Sequence, residues 1–170
     1  TTSGTLYYYV NGANRISGGN LTLNTWQHIA VSRSGTSTKM FVNGVQVGST
    51  YSDSNNYATS LASVGTYAPS PASYYIQGYV SNLRLVKGTA VYTSNFTVPT
   101  APLTAISGTS LLTCQSNRFR DASTNNFAIT VYGDTKVTKY SPFILAYPGI
   151  GYNQSDVSYW SGYFDGSGDY

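Results

Sequence analysis

The chain has 170 residues, and 41% of them are hydrophobic, which is enough for one sizeable core and typical of a single domain. Only 9% are charged, against about 25% in an average soluble domain, and 17 tyrosines accompany many Ser, Thr, Asn and Gly residues. These are residue types that contact surfaces favour. The nine Lys and Arg form no run, so the net charge of +3 predicts no nucleic-acid interface. No apolar stretch approaches the ~20 residues of a membrane span.

Strand patterns follow one another along most of the chain. Alternating polarity and runs of β-branched or aromatic residues predict strands at GTLYYYV, WQHIAVSRS, TKMFVNGVQVGS, YYIQGYVSNLRLV, SLLTCQS and FAITVYG. Each pattern is bounded by Gly, Asn, Ser or Pro. No segment has the ~3.6-residue period of a capped amphipathic helix. The sequence therefore predicts an all-β protein.

The clearest unit spans residues 26 to 48. It contains three strand patterns, and the dipeptide Asn43-Gly44 separates the second from the third. Asn-Gly between alternating strands is a strong hairpin signal, because a type I′ turn needs a positive φ at both central positions. Two consecutive hairpins make an antiparallel meander. We therefore expect an antiparallel β-sandwich or jelly roll.

The apolar strand positions predict the core of this sandwich. Ile29 and Val31 share one face by strand alternation, so only a two-layer arrangement would hide them together with the other apolar groups. The predicted core comprises Trp26, Ile29, Val31, Phe41, Val80, Leu83, Leu85, Leu112, Phe127 and Ile129.

Carboxylates that could carry catalysis are few and scattered. The chain contains no Glu, and Asp53, Asp121, Asp134 and Asp156 each lie alone on a predicted turn, where Asp commonly bonds its own backbone. Most glycosidases need two carboxyl groups facing each other across the scissile bond. We therefore expect no hydrolase activity and no catalytic residue.

Two single residues are candidates for reactivity. His28 is the only histidine, and no Cys, Asp or second His follows at metal-ligand spacing, so a structural imidazole is expected. Cys114 is the only cysteine, and its apolar neighbours predict a buried thiol.

The last residues, SGYFDGSGDY, hold Asp165 and Asp169 on a glycine-rich stretch. Calcium takes about six to eight oxygen ligands, and two aspartates do not supply them. We expect a strand followed by a Gly-Ser-Gly turn and no cofactor, with a calcium loop as the alternative.

Two predicted loops could bind sugars or partners through Tyr and Asn. They are YSDSNNYA at residues 51 to 58 and TYAPSPASYY at residues 66 to 75. Tyrosine rings can stack on sugars and amides can hydrogen-bond to them; ordinary polar loops are the alternative. The candidate contacts are Tyr51, Asn55, Asn56, Tyr57, Tyr67, Tyr74 and Tyr75.

The stretch NTWQHIAVSRSGTSTKMFVNGVQVGS, followed by SVGTYAPSPASYYIQGYVSNLRLVKGTAVYTSNF, resembles the concanavalin A-like lectin/glucanase superfamily in its laminin G-like and pentraxin-like branch. The resemblance covers about residues 5 to 96 and implies a concanavalin A-like jelly roll. It implies no catalysis, because the Glu-Asp-Glu type cluster of the superfamily's glucanases is missing. The matching positions are Trp26, His28, Asn43, Gly44, Gly65, Gly78, Asn82 and Arg84.

A narrower resemblance covers the rest of the chain. The segment from VKGTAVYTSNF to SPF at residues 141 to 143 is similar to domains found in tandem in large structural proteins of marine bacteriophages, especially cyanophages. In those proteins a phrase like YFDGSGDY opens each domain. The resemblance implies a sandwich over residues 1–145, a linker over 146–160, and a strand at 161–170 that begins a following domain or is donated to a neighbour. That strand would contribute Tyr163, Phe164, Asp165 and Tyr170.

The resemblance also implies a function. We expect a non-catalytic structural or adhesive module of an extracellular assembly, such as a virion, tail fibre or other tail appendage. Its partners would be further copies or neighbouring domains in an array, and other virion proteins. The alternative is a carbohydrate-binding domain that attaches a larger protein to a cell-surface glycan.

Overall fold

A computed structural model describes residues 4–58, 62–67, 74–143 and 160–170. These ranges contain ten β-strands and no helix, so none of their segments forms an apolar helix that could cross a membrane. All strand pairs are antiparallel. The strands are β1 (Gly4–Val10), β2 (Ala13–Leu21), β3 (Ile29–Ser34), β4 (Ser37–Val42), β5 (Val45–Ser52), β6 (Gln77–Val80), β7 (Leu83–Val86), β8 (Thr109–Thr113), β9 (Lys136–Thr138) and β10 (Ser161–Asp165).

The chain divides into two compact units. The first comprises Thr1–Tyr57 and Gly88–Pro99, and the second comprises Ala58–Lys87 and Thr100–Tyr170. The predicted linker over residues 146–160 lies outside the described residues, apart from Trp160.

The first unit contains two sheets, β1-β2 and β3-β4-β5, and β2 lies against β5. The predicted Asn43-Gly44 hairpin joins β4 to β5, with φ of 50° and 80° at its two central residues. The Asn43 side-chain oxygen accepts a hydrogen bond from the His28 backbone N–H at 2.9 Å. Turn chemistry thus fixes the connection, as predicted. β2 was not predicted, because its Gly-rich sequence ANRISGGNL hides the alternation.

The core of the first unit lies on both faces of β4. Phe41 is fully buried against the rings of Tyr92 and Phe96, whose centroids lie 6.5 and 5.4 Å away. Met40, on the opposite face, is also buried. His28 packs edge-on against Phe96 at 5.4 Å. The prediction for Phe41 is confirmed, and Trp26 is half-buried.

The core prediction was wrong for two residues of β3. Ile29 and Val31 are 46% and 49% exposed, although they lie directly opposite Val42 and the buried Met40. β3 is one of the two edge strands of its sheet. Alternation correctly places the two side chains on one face, but it carries no information on whether another layer covers that face.

The second unit contains the sheets β6-β10-β9 and β7-β8. Leu112 is buried as predicted, and Val80, Leu83 and Ile129 are half-buried. Leu85 and Phe127 are 46% and 58% exposed, so their prediction as core residues was wrong. The predicted strand FAITVYG does not form, since residues 127–133 have no strand assignment and pair with no strand among the described residues.

The buried thiol was predicted correctly. Cys114 follows β8 and is buried. Burial raises the pKa of its thiol to about 11. The thiol therefore stays protonated at neutral pH, which makes it a poor nucleophile.

The terminal strand lies in a sheet of its own chain, whereas the resemblance predicted that residues 161–170 begin a following domain or are donated to a neighbour. β10 is the central strand of its own chain's sheet and pairs with β6 on one side and β9 on the other. Phe164 is buried, and the place where a Gly162 side chain would begin lies 3.0 Å from the Phe119 ring. β10 therefore supplies both ladder bonds and core to the second unit.

Candidate functional site

The first candidate loop is built around the buried carboxylate of Asp53, directly after β5. This carboxylate accepts hydrogen bonds from the Asn55 backbone N–H at 3.1 Å, the Tyr57 hydroxyl at 2.9 Å and the Thr38 hydroxyl at 3.2 Å. The Arg33 guanidinium lies 3.8 Å away. Burial alone would raise the pKa of Asp53, but the hydrogen bonds outweigh it and the pKa is lowered. Asp53 is therefore a charged anchor for this loop.

Two of the residues predicted to contact a partner, Tyr51 and Asn55, take part in the network around Asp53. The Asn55 amide donates to Asp53 at 2.9 Å, and it also lies 3.3 Å from the Tyr51 and Tyr57 hydroxyls. Tyr51 is half-buried, with the Arg15 guanidinium 5.5 Å from its ring centre. Tyr51 and Asn55 hold the loop in shape, whereas Asn56 and Tyr57 are exposed.

Tyr8 joins this network from β1. Burial first, and then a hydrogen bond with Tyr57 and the charge of Asp53, raise the pKa of its hydroxyl above the usual value. The phenol therefore remains a neutral donor. The loop is held by groups from β1, β3, β4 and its own backbone, so its exposed residues are presented by a rigid base.

The second candidate loop belongs to the other unit. Tyr67 and Tyr74 are exposed, and their rings meet edge to face with centroids 6.0 Å apart. Tyr74 is 81% exposed and has a φ of 62°, which is uncommon for a bulky residue. Tyr75 is half-buried. Two of the three predicted tyrosines therefore present rings to solvent.

The terminal-strand candidates take part in their own unit. Phe164 is buried against Gly65, and Tyr170 stacks on Tyr132 with ring centroids 4.3 Å apart. Asp165 is half-buried and accepts a hydrogen bond from the Ser167 backbone N–H at 2.7 Å. These residues are structural here.

Asp134, which the sequence predicted to lie alone on a turn, is part of an acidic cluster. Carboxylate oxygens of Asp134, Asp165 and Asp169 lie within 4.8 Å of one another. Asp169 is buried, and its two oxygens accept hydrogen bonds from the backbone N–H groups of Asp134 at 2.9 Å and Asp165 at 2.8 Å. The expectation that Asp134 stands alone was wrong, because residues 35 positions apart in sequence meet here.

The surroundings shift the pKa values of Asp169 and Asp134 in opposite directions. Burial would raise the pKa of Asp169, but bonds from the Asp165 and Asp134 amides dominate and lower it. The charge of Asp165, then burial and the charge of Asp169, raise the pKa of Asp134. Calcium takes about six to eight oxygen ligands. These three carboxylates could hold a cation only together with further oxygens, and both Asp169 oxygens are already engaged.

A row of tyrosines on one face of the β6-β10-β9 sheet was not predicted. Tyr79 and Tyr163 are register partners with ring centroids 5.2 Å apart, and Tyr140 lies 4.7 Å from Tyr79. The Lys136 ammonium lies 5.0 Å from the Tyr163 ring centre. Tyr79 and Tyr140 are exposed. We call Tyr79, Tyr140, Tyr163 and Lys136 the tyrosine face. Alternation in QGYV places Tyr79 opposite to Val80, but nothing local indicates that Tyr140 joins it.

Comparison with known proteins identifies the family. A laminin G-like family model of the concanavalin A-like lectin/glucanases superfamily matches residues 1–95, which is more than half of the chain. No curated protein and no solved structure matched the chain. The match and the antiparallel all-β structure confirm the predicted fold class. The superfamily includes glucanases, whereas laminin G-like domains are typically non-catalytic and fit a lectin-like or adhesive module. The chain therefore belongs to the concanavalin A-like lectin/glucanase superfamily.

Proposed function

We propose that the protein is a non-catalytic adhesive module that binds its partners through the tyrosine face. The observation that carries this proposal is the row of ring contacts that joins Tyr163 on β10 to Tyr79 on β6, and Tyr79 to Tyr140 just after β9. Contiguous exposed aromatic surface marks interaction sites on soluble proteins. Tyrosine contributes contact area at low entropic cost and keeps a polar group for water or a partner.

The sheet makes this face rigid. β10 is paired on both sides, so Tyr163 cannot move without breaking ladder bonds to β6 or β9. The Lys136 ammonium above the Tyr163 ring adds a charge to an aromatic surface. A fixed aromatic row with one cation suits repeated, sequence-tolerant contact with a polymer or with another protein surface.

The assembly that we propose is extracellular, a phage virion or tail appendage in which copies or neighbouring domains pack together. The support for this finer proposal is the similarity of residues 86–143 and of the YFDGSGDY phrase to domains of marine phage structural proteins. The alternative partner is a cell-surface glycan. Mass spectrometry of purified phage particles tests the virion context, because peptides of this chain must then be present in the particle.

The absence of catalysis also belongs to the proposal. Asp53, Asp121 and Asp169 are buried and accept backbone hydrogen bonds, which suits structural anchors. General acid–base chemistry needs carboxyl groups within reach of a substrate.

A pair of single variants tests the role of the tyrosine face. Tyr140→Ser removes a ring that is 50% exposed within the face, and Tyr7→Ser removes one that is 51% exposed on β1, in the other unit. We expect Tyr140→Ser to reduce binding on a glycan array, or self-association in sedimentation velocity, by at least fivefold. Tyr7→Ser should bind like the unmodified chain. Equal losses in both variants would contradict a specific tyrosine face.

A further inference from the structure

A polar pocket lies at the end of the β3–β4 hairpin in the first unit. It has a volume of about 230 Å³ and is lined by Ser32, Ser34, Ser37, Lys39, Tyr92 and Thr93. This is below the roughly 300–1,000 Å³ of pockets that hold drug-sized ligands. The pocket therefore suits one small group or a single sugar ring.

Strand register explains why these polar side chains converge. Ser32 lies directly opposite Lys39, and Ser34 lies opposite Ser37, so all four share one face of the hairpin. Further along the same face, Phe41 is covered by Tyr92 and Phe96. The apolar half of the face is thus buried, while the polar half faces the pocket.

The pocket carries a positive charge without an acidic neighbour in its walls. The Lys39 ammonium donates a hydrogen bond to the Thr93 carbonyl at 2.7 Å. An ammonium has three donors, so two remain. None of the lining residues is acidic. Arg33, which approaches Asp53, pairs with Thr38 in the register and therefore lies on the opposite face.

One wall of the pocket is aromatic and fixed. The Tyr92 ring stacks on Phe96 with ring centroids 3.6 Å apart and an interplanar angle of 8°. The hydroxyls of the three serines, the Lys39 ammonium and a fixed aromatic ring are the groups that recognise a sugar bearing an anionic substituent. The hydroxyls and the ammonium would donate to anionic oxygens through charge-assisted hydrogen bonds, and the ring would pack on the sugar's C–H groups.

We propose that this pocket binds the sulfate or carboxylate group of an acidic sugar. The inference goes beyond the proposed function, because the pocket shares no residue with the tyrosine face. The two can therefore fail independently: Tyr140→Ser should leave binding at this pocket unchanged.

The test is an NMR titration of the isotope-labelled chain with four probes, namely a sulfated glucose, glucuronate, glucose and sodium sulfate. We expect the sulfated sugar or glucuronate to shift the amide signals of residues 32–39 and 92–93, and the stronger of the two identifies the anionic group. Binding should weaken as salt is added. Equal binding of neutral glucose, or inorganic sulfate binding as tightly as the sulfated sugar, would overturn the proposal.

Lys39→Met removes the charge and keeps an apolar stem, and Lys87→Met is the matched control, an exposed lysine of the second unit. Both variants change the net charge equally. Lys39→Met should weaken binding at least tenfold, whereas Lys87→Met should not change it.

Loss of the bond to Thr93 could also destabilise the fold, so Ser34→Ala, which leaves that bond in place, is a second variant. It should weaken binding about threefold to tenfold, and unchanged affinity in both pocket variants would refute the proposal.

Discussion

At the residue scale, three buried aspartates each hold a loop in place. Asp53, Asp121 and Asp169 are at most 3% exposed, and each accepts at least one backbone N–H bond. Asp121 accepts bonds from the backbone N–H groups of Leu112 at 3.0 Å, Ser123 at 2.8 Å and Phe127 at 3.0 Å. A buried backbone N–H group without an acceptor would destabilise the fold. These carboxylates supply the acceptors and so keep their loops in place.

Asp121→Asn should destabilise the protein. The amide has one accepting oxygen where the carboxylate has two, so one N–H group would face the new NH₂ group. We expect a loss of about 2 kcal/mol, measured by urea unfolding at neutral pH. Burial would raise the pKa of Asp121, but bonds from the Ser123, Phe127 and Leu112 amides lower it. The unfolded state therefore binds the proton more tightly, and this stability is present above a pH of about 4 and lost as the pH falls below it.

Asp134→Asn is the matched control for this prediction. Asp134 is exposed, and the charge of Asp165, then burial and the charge of Asp169, raise its pKa. Its charged form is therefore disfavoured in the folded state, and removing the charge at neutral pH should not destabilise the chain. If Asp134→Asn destabilises as much as Asp121→Asn, the distinction between anchor and exposed carboxylate is wrong.

At the element scale, the β4–β5 hairpin depends on its turn residue Gly44, against which the Phe96 backbone packs. Gly44 has a φ of 80°, and a side chain there would meet the Phe96 backbone carbonyl. The Phe96 N–H donates to the Gly44 carbonyl at 2.9 Å. The turn thus both reverses the chain and holds the segment that covers Phe41.

Gly44→Ala should destabilise the protein by more than the cost of placing alanine at a positive φ. The left-handed conformation costs a non-glycine residue about 1–2 kcal/mol, and the contact with Phe96 adds to this. Gly35→Ala is the control, since Gly35 has a φ of 59° and open space where the side chain would begin. Thermal unfolding should give a clearly lower midpoint for Gly44→Ala than for Gly35→Ala. Equal midpoints would contradict the packing of residue 96 on the turn.

β10 provides the second element-scale prediction. Phe164 points to the buried side of the sheet and Tyr163 to the tyrosine face. Phe164→Ala should cost about 3–5 kcal/mol because it empties a packed core position, whereas Tyr163→Ala should cost less. Chemical unfolding of both variants checks this. If Phe164→Ala leaves the stability of the isolated chain unchanged, β10 does not fill its own unit in solution.

At the scale of the whole molecule, charge is scarce and tyrosine is abundant. The six acidic residues are all aspartates, and the chain holds only one histidine. The described acidic cluster contains Asp169, whose two oxygens are bound by backbone amides. This composition suits a protein that works through contact surfaces.

The whole-molecule prediction is an absence of turnover. Incubation with laminarin or a similar polysaccharide should release no reducing sugar above the rate of buffer alone. Triple replacement of Asp134, Asp165 and Asp169 by Asn is the control and should give the same result. Turnover that disappears in this variant, or in any single Asp variant, would show that the protein is an enzyme.

The sequence by itself determined the all-β class, the Asn43-Gly44 hairpin, the superfamily and the buried Cys114, because alternation, turn chemistry and local polarity are properties of neighbouring residues. Only the tertiary structure decided that β10 inserts between β6 and β9, that Asp134 meets Asp169, and that Tyr140 joins Tyr79. It also decided that Ile29 and Val31 remain exposed. Each of these outcomes depends on which distant segment packs against a given face, and a period of two residues identifies a face without identifying its partner.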